Sequence, residues 1–395
     1  MIHEFWENFR HNLFKPLLLF FYMGFLVPIL GVEFEFPHVL YQGLTIYLLI
    51  SIGWKGGEEL AELKGEVLGQ ALEFMTVGFV TNFLIGVIAY LVLRSVTKLR
   101  KVDAATVAGY YGSDSAGTFV TCVGVLASLS IPFAAYMPVM LAVMEIPGCL
   151  VALFLVSRLR ASGMDALGHM PDEDGYDPNA VAPALVATEG NGNGHGNGHG
   201  QAVDRVGSRG DDPKKPPGAL SLTLLHEVFF NPGLFLLFGG ILIGFISRIQ
   251  GEKVTSPDDP VFLTLFQGLL CLFLLEMGMT ASRKLKDLKR GGWPFIACGV
   301  LMPPVFATIG ICVAHVFALI VHQELQLGTY VLFSVLCGAS SYIAVPAVQR
   351  LAIPEASPTL PLAASLGLTF SFNVTIGIPL YIQIAKTLML AFPHK

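Results

Sequence analysis

The pattern Gln42-Gly43-Leu44, Gly53, Leu60 returns as Gln267-Gly268-Leu269, Gly278, Leu285, every residue displaced by 225 positions, and both copies lie in strongly apolar stretches. A chain made of two copies of one apolar unit has few ways to fold. If each unit crosses a bilayer an odd number of times, the second copy must sit upside down relative to the first. Inverted repeats of this kind place a binding site at the repeat interface, near the bilayer midplane.

Composition fixes the surroundings. Of 395 residues, 53% are hydrophobic and 13% charged, against roughly 25% charged in soluble domains. Crossing a bilayer takes about 20 apolar residues, and the sequence predicts spans near 13–31, 38–54, 74–94, 104–126 and 134–157, then 228–249, 260–281, 293–320, 328–349 and 362–390. Five plus five is the odd count that inversion requires. A second alignment agrees: Gly112-Ser113-Asp114-Ser115 in the fourth span matches Gly338-Ala339-Ser340-Ser341 in the ninth, displaced by 226 positions. The expected fold is an all-α polytopic membrane protein of ten transmembrane helices in two inverted five-helix repeats, residues 1–157 and 218–395.

Between the repeats, residues 158–217 contain a Gly/Asn/His tract at 191–200 and little apolar content. This segment reads as a flexible cytoplasmic linker. His195 and His199 lie in a tract with no preorganised geometry for a metal. The first fifteen residues mix acids and bases with aromatics and are followed by no small-residue cleavage site, so no cleavable signal is read. Cys122, Cys149, Cys271, Cys298, Cys312 and Cys337 all fall in apolar spans without paired spacing, which suggests neither a disulfide framework nor a zinc site.

Lysine and arginine set the orientation. The third-to-fourth loop (Arg94, Lys98, Arg100, Lys101), the seventh-to-eighth loop (Arg283, Lys284, Lys286, Lys289, Arg290), the linker and Arg350 hold most of the 24 basic residues and fall on one side. That side is expected in the cytoplasm, with both termini outside, in a plasma (cell inner) membrane. Glu58, Glu59, Glu62 and Glu66 are expected to form a solvated loop on the outer face.

The fourth span concentrates glycines, hydroxyls and a carboxylate, from Gly109 to Thr118. Unwound backbone at membrane depth is tolerated only where it lines a cavity, and the new helix N-terminus presents free N–H groups and a partial positive charge that suit an anion. The opposing C-terminal end offers oxygens that suit sodium. The ninth span repeats the device around Gly338, Ser340 and Ser341, with Pro346 unable to donate a helical hydrogen bond. Paired interruptions at corresponding positions point to a transporter site; the bland reading is close helix packing. The candidate anion-binding residues are Gly112, Ser113, Ser115, Thr118, Ser340 and Ser341.

Acids inside a membrane are costly unless paired, protonated or bound to a cation. Asp114, Glu145 and Glu276 are such acids, and Glu276 has Arg283 as a prospective partner. With Asn373 and Thr375 in the tenth span they form the candidate sodium-binding or coupling set. Asn82 adds a neutral oxygen, and His315 reads as a packed or pore-facing histidine.

These motifs carry a resemblance. Val102-Asp103-Ala104 leading into Tyr111-Gly112-Ser113, Ser115 and Thr118, together with Met144-Glu145-Ile146-Pro147, Met277-Gly278-Met279, Ser340-Ser341, Ile343, Pro346, Arg350 and Ile353-Pro354, are similar to the sodium-dependent bicarbonate transporters of the SbtA type over nearly the whole chain. The resemblance implies ten spans in two inverted repeats, a homotrimer, sodium-driven bicarbonate uptake, and the anion seated between the two broken helices. It also implies a PII-like regulator on the cytoplasmic side of cyanobacterial members. Two positions depart from the family pattern. Tyr342 stands where those members have an acid, and Asp114 stands where they have an apolar residue, as if a carboxylate had moved from one broken helix to the other.

The leading expectation is thus a symporter of bicarbonate or a similar small anion, with sodium as coupling ion, no cofactor, no catalytic residues and no nucleic-acid partner. A cation/proton antiporter titrating Asp114 and Glu145 is the alternative. A hydrolase using Ser113 or Ser115 lacks a nearby base other than His315 and leaves the repeat unexplained. A sensor reporting through the linker remains a further class.

Overall fold

A backbone amide in hydrocarbon has no water to bond, so long apolar runs satisfy themselves as helices. Every regular element of the computed structural model is helical among the residues it describes, which are 14–62, 65–180, 232–342, 345, 346, 349 and 352–393. The first half contains α1 (Pro16–Ile29), α2 (His38–Ala61), α3 (Gly65–Val96), α4 (Lys101–Tyr111), α5 (Ala116–Ser128) and α6 (Met137–Ala161). The second contains α7 (Pro232–Ile249), α8 (Phe266–Lys284), α9 (Gly292–Ile320), α10 (Leu327–Gly338) and α11, continuous over Leu360–Ala391 with π-helical turns at Ala363–Phe370 and Asn373–Gly377.

Five segments are long and apolar enough to cross a bilayer: Gly69–Val96, Met137–Ala161, Pro260–Leu288, Gly292–Ile320 and Leu360–Ala391. They coincide with the expected third, fifth, seventh, eighth and tenth spans. Shorter apolar helices stand at the first, sixth and ninth positions. Exposed leucine, isoleucine and valine side chains recur about every fourth residue along α3, at Leu72, Val80, Leu84, Ile88 and Leu91. That spacing makes one apolar stripe, the surface a bilayer covers.

The expected second span runs longer than its hydropathy predicts. Instead of ending in an acidic loop, α2 carries Glu58 and Glu59 within its last turns, because it stays packed against α7 to its end. Glu62, just past the helix, accepts both guanidinium donors of Arg248 at the end of α7.

Four helices pair reciprocally. α2 packs along α7, and α1 packs along α8. One of the two repeated glycine pairs, Gly53 and Gly278, makes the contacts, while Gly43 and Gly268 face open space. A Cβ at Gly53 would lie 2.5 Å from the Leu237 carbonyl oxygen, and one at Gly278 would overlap the Phe21 carbonyl. Glycine at these points lets two backbones approach as closely as membrane helices do. Six of the remaining seven helices form two triads, α3 with α4 and α6, and α9 with α10 and α11, while α5 packs chiefly against α10 of the other half. Phe74 of α3 stacks on Phe317 of α9 (4.7 Å) and Phe333 of α10 (4.6 Å), joining the triads through one aromatic core.

At the basic end, polar contacts tie the halves together. Arg100 donates to Asp103 (2.8 Å) and to the carbonyls of Leu167 (2.7 Å) and Glu355 (3.2 Å). Arg160 grips the Glu355 carboxylate with two bonds, 3.0 and 2.8 Å, and Asp103 accepts the Ser357 amide at 2.7 Å. Residues 162–180, expected to begin a flexible linker, instead fold back onto this cluster. Lys101 pairs with Asp172 (2.7 Å), its amide donates to Glu173 (2.7 Å), and Met170 is buried among Val102, Ala105 and Ile353. The Gly/Asn/His tract with His195 and His199 lies outside the described residues, as do Ile343 and Arg350.

Candidate functional site

The expected fourth span is two helices. Residues 112–115 separate α4 from α5, and all four are buried. The interruption is held by side chains. Ser115 caps α5, its Oγ accepting the Thr118 amide (3.2 Å) and the Thr118 hydroxyl (2.8 Å). With both lone pairs taken, the proton of Ser115 is left to donate. Ser113 donates to the Glu145 carbonyl at 2.8 Å, and Asn82 of α3 donates to the Met144 carbonyl at 3.0 Å. Both carbonyls lie in the turn before Pro147, which has no N–H to give the α6 ladder and loosens that turn. Gly148 completes the fit, since a Cβ there would strike Gly109 and Ser113.

The second interruption begins where α10 stops at Gly338, leaving Ala339, Ser340 and Ser341 buried and non-helical. Val345 and Pro346 are helical again. Ser365, in the first π-helical turn of α11, donates to the carbonyls of both Ser340 (2.7 Å) and Ser341 (2.8 Å). Asn373 donates to the Gly338 carbonyl at 2.9 Å and accepts from Tyr381 at 2.6 Å. The two interruptions touch directly, the Ser341 amide donating to the Tyr110 carbonyl at 2.8 Å.

Within this frame, both carboxylate oxygens of Asp114 are buried with no hydrogen-bond partner among the described residues, as are the Asn82 carbonyl oxygen and the Ser340 hydroxyl. Asp114 lies within electrostatic reach of Glu145 and of Cys337 near the end of α10. A buried polar atom without a partner costs free energy unless something binds it. These atoms are all oxygens, and two belong to a carboxyl group, the donor type that a hard cation such as sodium takes as ligand.

A small cavity opens beside the N-terminal end of α5, lined by Tyr41 and Thr45 of α2, Ala116 and Gly117 of α5, Phe273 of α8, and Tyr342. Ala116 and Gly117 of the first α5 turn line this space, which has room for about one water molecule.

Gly112, Ser113, Asp114, Ser115, Thr118, Glu145, Ser340, Ser341 and Asn373 thus gather around the two interruptions. Thr375 spends its hydroxyl on the Ser371 carbonyl (2.7 Å) in its own helix. Glu276 lies on α8 beside Tyr41 and accepts from Thr280 at 2.9 Å. His315 is buried and its Nδ1 bonds the Tyr330 hydroxyl at 3.1 Å. Sequence reasoning missed Ser365 and the place of Tyr342. A serine in a long apolar span was the only trace of the first.

A family model described as the Na+-dependent bicarbonate transporter superfamily matches residues 16–386, nearly the whole chain. No curated protein matches it.

Proposed function

The chain belongs to the Na+-dependent bicarbonate transporter superfamily, and on that premise we propose that this multi-pass membrane protein is a sodium-coupled symporter taking up bicarbonate or a similar small anion by alternating access. The observation that carries the proposal is Asp114, whose two buried oxygens have no hydrogen-bond partner among the described residues and lie at the α4–α5 interruption, two residues before Ala116 in the cavity wall. A cation held by Asp114, Glu145 and the Asn82 carbonyl would offset the charge of both acids. The anion would then sit on the α5 N-terminus, with donors from Ser115 and Ser340. Each ion makes the other's binding cheaper, because neither charge is left alone at membrane depth.

The reciprocal pairing of α2 with α7 and α1 with α8, with Gly53 and Gly278 at matching contacts, supports two inverted five-helix repeats. The four paired helices would act as a scaffold against which the two triads move around the site. The basic loops would face the cytoplasm and both termini the outside. A homotrimer and a cytoplasmic PII-like partner belong to the same proposal.

Reciprocity supplies the test. If binding is coupled, sodium tightens bicarbonate and bicarbonate tightens sodium by the same factor. Calorimetric titration of purified protein with bicarbonate, at zero and saturating sodium, should show binding only with sodium. Equal affinities in both conditions would overturn the symport reading.

One observation favours a second reading. Asp114 and Glu145 are two buried acids in electrostatic contact, the arrangement a cation/proton antiporter titrates. Sodium-driven proton exchange in vesicles free of bicarbonate would decide for it.

A further inference from the structure

Tyr342 follows directly on the second interruption, yet its side chain reaches the first. Its hydroxyl lies so close to the Gly117 backbone that a Cβ at 117 would collide with it, and it stands beside Ser115 and within electrostatic reach of Tyr41 and Glu145. Its ring is edge-on to Phe370 at 6.1 Å and lines the cavity together with Tyr41 and Phe273. The ring is thus held by apolar neighbours. By geometry the hydroxyl makes no hydrogen bond among the described residues, although the Ser115 hydroxyl and the Gly117 backbone are its polar neighbours. A buried tyrosine hydroxyl ordinarily makes one, which leaves this O–H a donor to spare.

We infer that Tyr342 is a substrate-positioning residue, whose phenol O–H donates to the anion seated on the first turn of α5. The inference rests on the anion-transport reading of this site and extends it across the two halves. The α5 amides and the Ser115 proton approach the anion from one half of the chain, and the phenol approaches from the other. A phenol is neutral, so it adds a donor without cancelling the negative charge of Asp114 and Glu145 that holds the cation. Gly117 is the residue that leaves room for it. Because Tyr342 belongs to the segment joining α10 to the rest of the second half, the anion would bridge the two interruptions and register their relative position.

The test is labelled bicarbonate uptake into proteoliposomes under an inward sodium gradient, for the wild type and Tyr342→Phe, with the bicarbonate concentration varied. Phenylalanine keeps the ring against Phe370 and removes only the donor. The expected result is a bicarbonate KM raised on the order of tenfold or more, the usual cost of losing a hydrogen bond to a charged group, with maximal rate and sodium dependence unchanged. An unchanged KM, or a fall in maximal rate alone, overturns the role of Tyr342 while leaving the transport reading in place. Absence of uptake by the wild type overturns the transport reading and this inference together.

Discussion

The Ser341 amide donates to the Tyr110 carbonyl at 2.8 Å, so the interruption in one half of the chain is closed by the interruption in the other. The reason lies in helix geometry. The last carbonyls of a helix have no partner within it, and α4 ends one residue after Tyr110. Ser341, itself released from a helix that stopped at Gly338, supplies the missing N–H. Neither interruption is complete without its opposite number.

This bond separates two substitutions at one position. Ser341→Ala keeps the amide and gives up only the long bond its hydroxyl accepts from the Val345 amide (3.4 Å), so thermal stability in detergent should fall much less than for a loss of the amide. Ser341→Pro removes the N–H and strands a buried carbonyl, at about 1–3 kcal/mol. A midpoint lowered by both substitutions equally would mean that the hydroxyl, not the amide, joins the two halves.

Asp114 should govern sodium rather than the anion. Asp114→Asn preserves shape and removes charge, so the sodium concentration giving half-maximal uptake should rise at least tenfold. The bicarbonate KM at saturating sodium should move little. A variant with wild-type sodium dependence would remove Asp114 from the cation site.

Arg160 and Glu355 tie α6 to the loop before α11, with side chains 25% and 12% exposed. A doubly bonded pair this sheltered lies between the surface and buried cases, so Glu355→Gln should cost on the order of 2 kcal/mol. Exchanging the two charges by Arg160→Glu with Glu355→Arg should recover part of the loss. The Ala352 carbonyl, which also accepts from Arg160 at 2.7 Å, would not be satisfied by the exchange.

Acid should loosen the same end of the molecule. The Lys101 ammonium bonded to Asp172 holds that carboxyl below its usual range. Burial favours the neutral form of Asp165, but amides of Asp177, His169 and Leu167 outweigh it and hold Asp165 low as well. Carboxyls lowered in the folded state add stability above the unfolded value of about 4 and lose it as pH falls through their folded values. The thermal midpoint should be insensitive to these groups between about pH 7 and 5 and fall more steeply below about pH 4. Asp165→Asn and Asp172→Asn should flatten that fall; an unchanged slope would assign the acid sensitivity elsewhere.

Much of this was legible in the sequence because bilayer chemistry leaves few options. Apolar length marked the positions of α3, α6, α8, α9 and α11, and the Gly/Ser-rich run at 112–115 marked the break between α4 and α5. What escaped reading depends on tertiary partners. Glu58 and Glu59 look like loop residues until α7 is seen alongside α2. Residues 162–180 look like linker until Arg100, Lys101 and Val102 are seen beneath them. Ser365 is an ordinary hydroxyl in an apolar span until α11 is wound so that it meets two carbonyls of the other interruption. Tyr342 could be recognised as a departure from the family pattern, but not as a side chain reaching across to Gly117.

The most direct measurement of the central claim is accumulation of labelled bicarbonate in proteoliposomes, with and without an inward sodium gradient, for the wild type and Asp114→Ala. The account predicts uphill accumulation by the wild type only when the gradient is present, and its loss in Asp114→Ala. Wild-type uptake that ignores the gradient would contradict it.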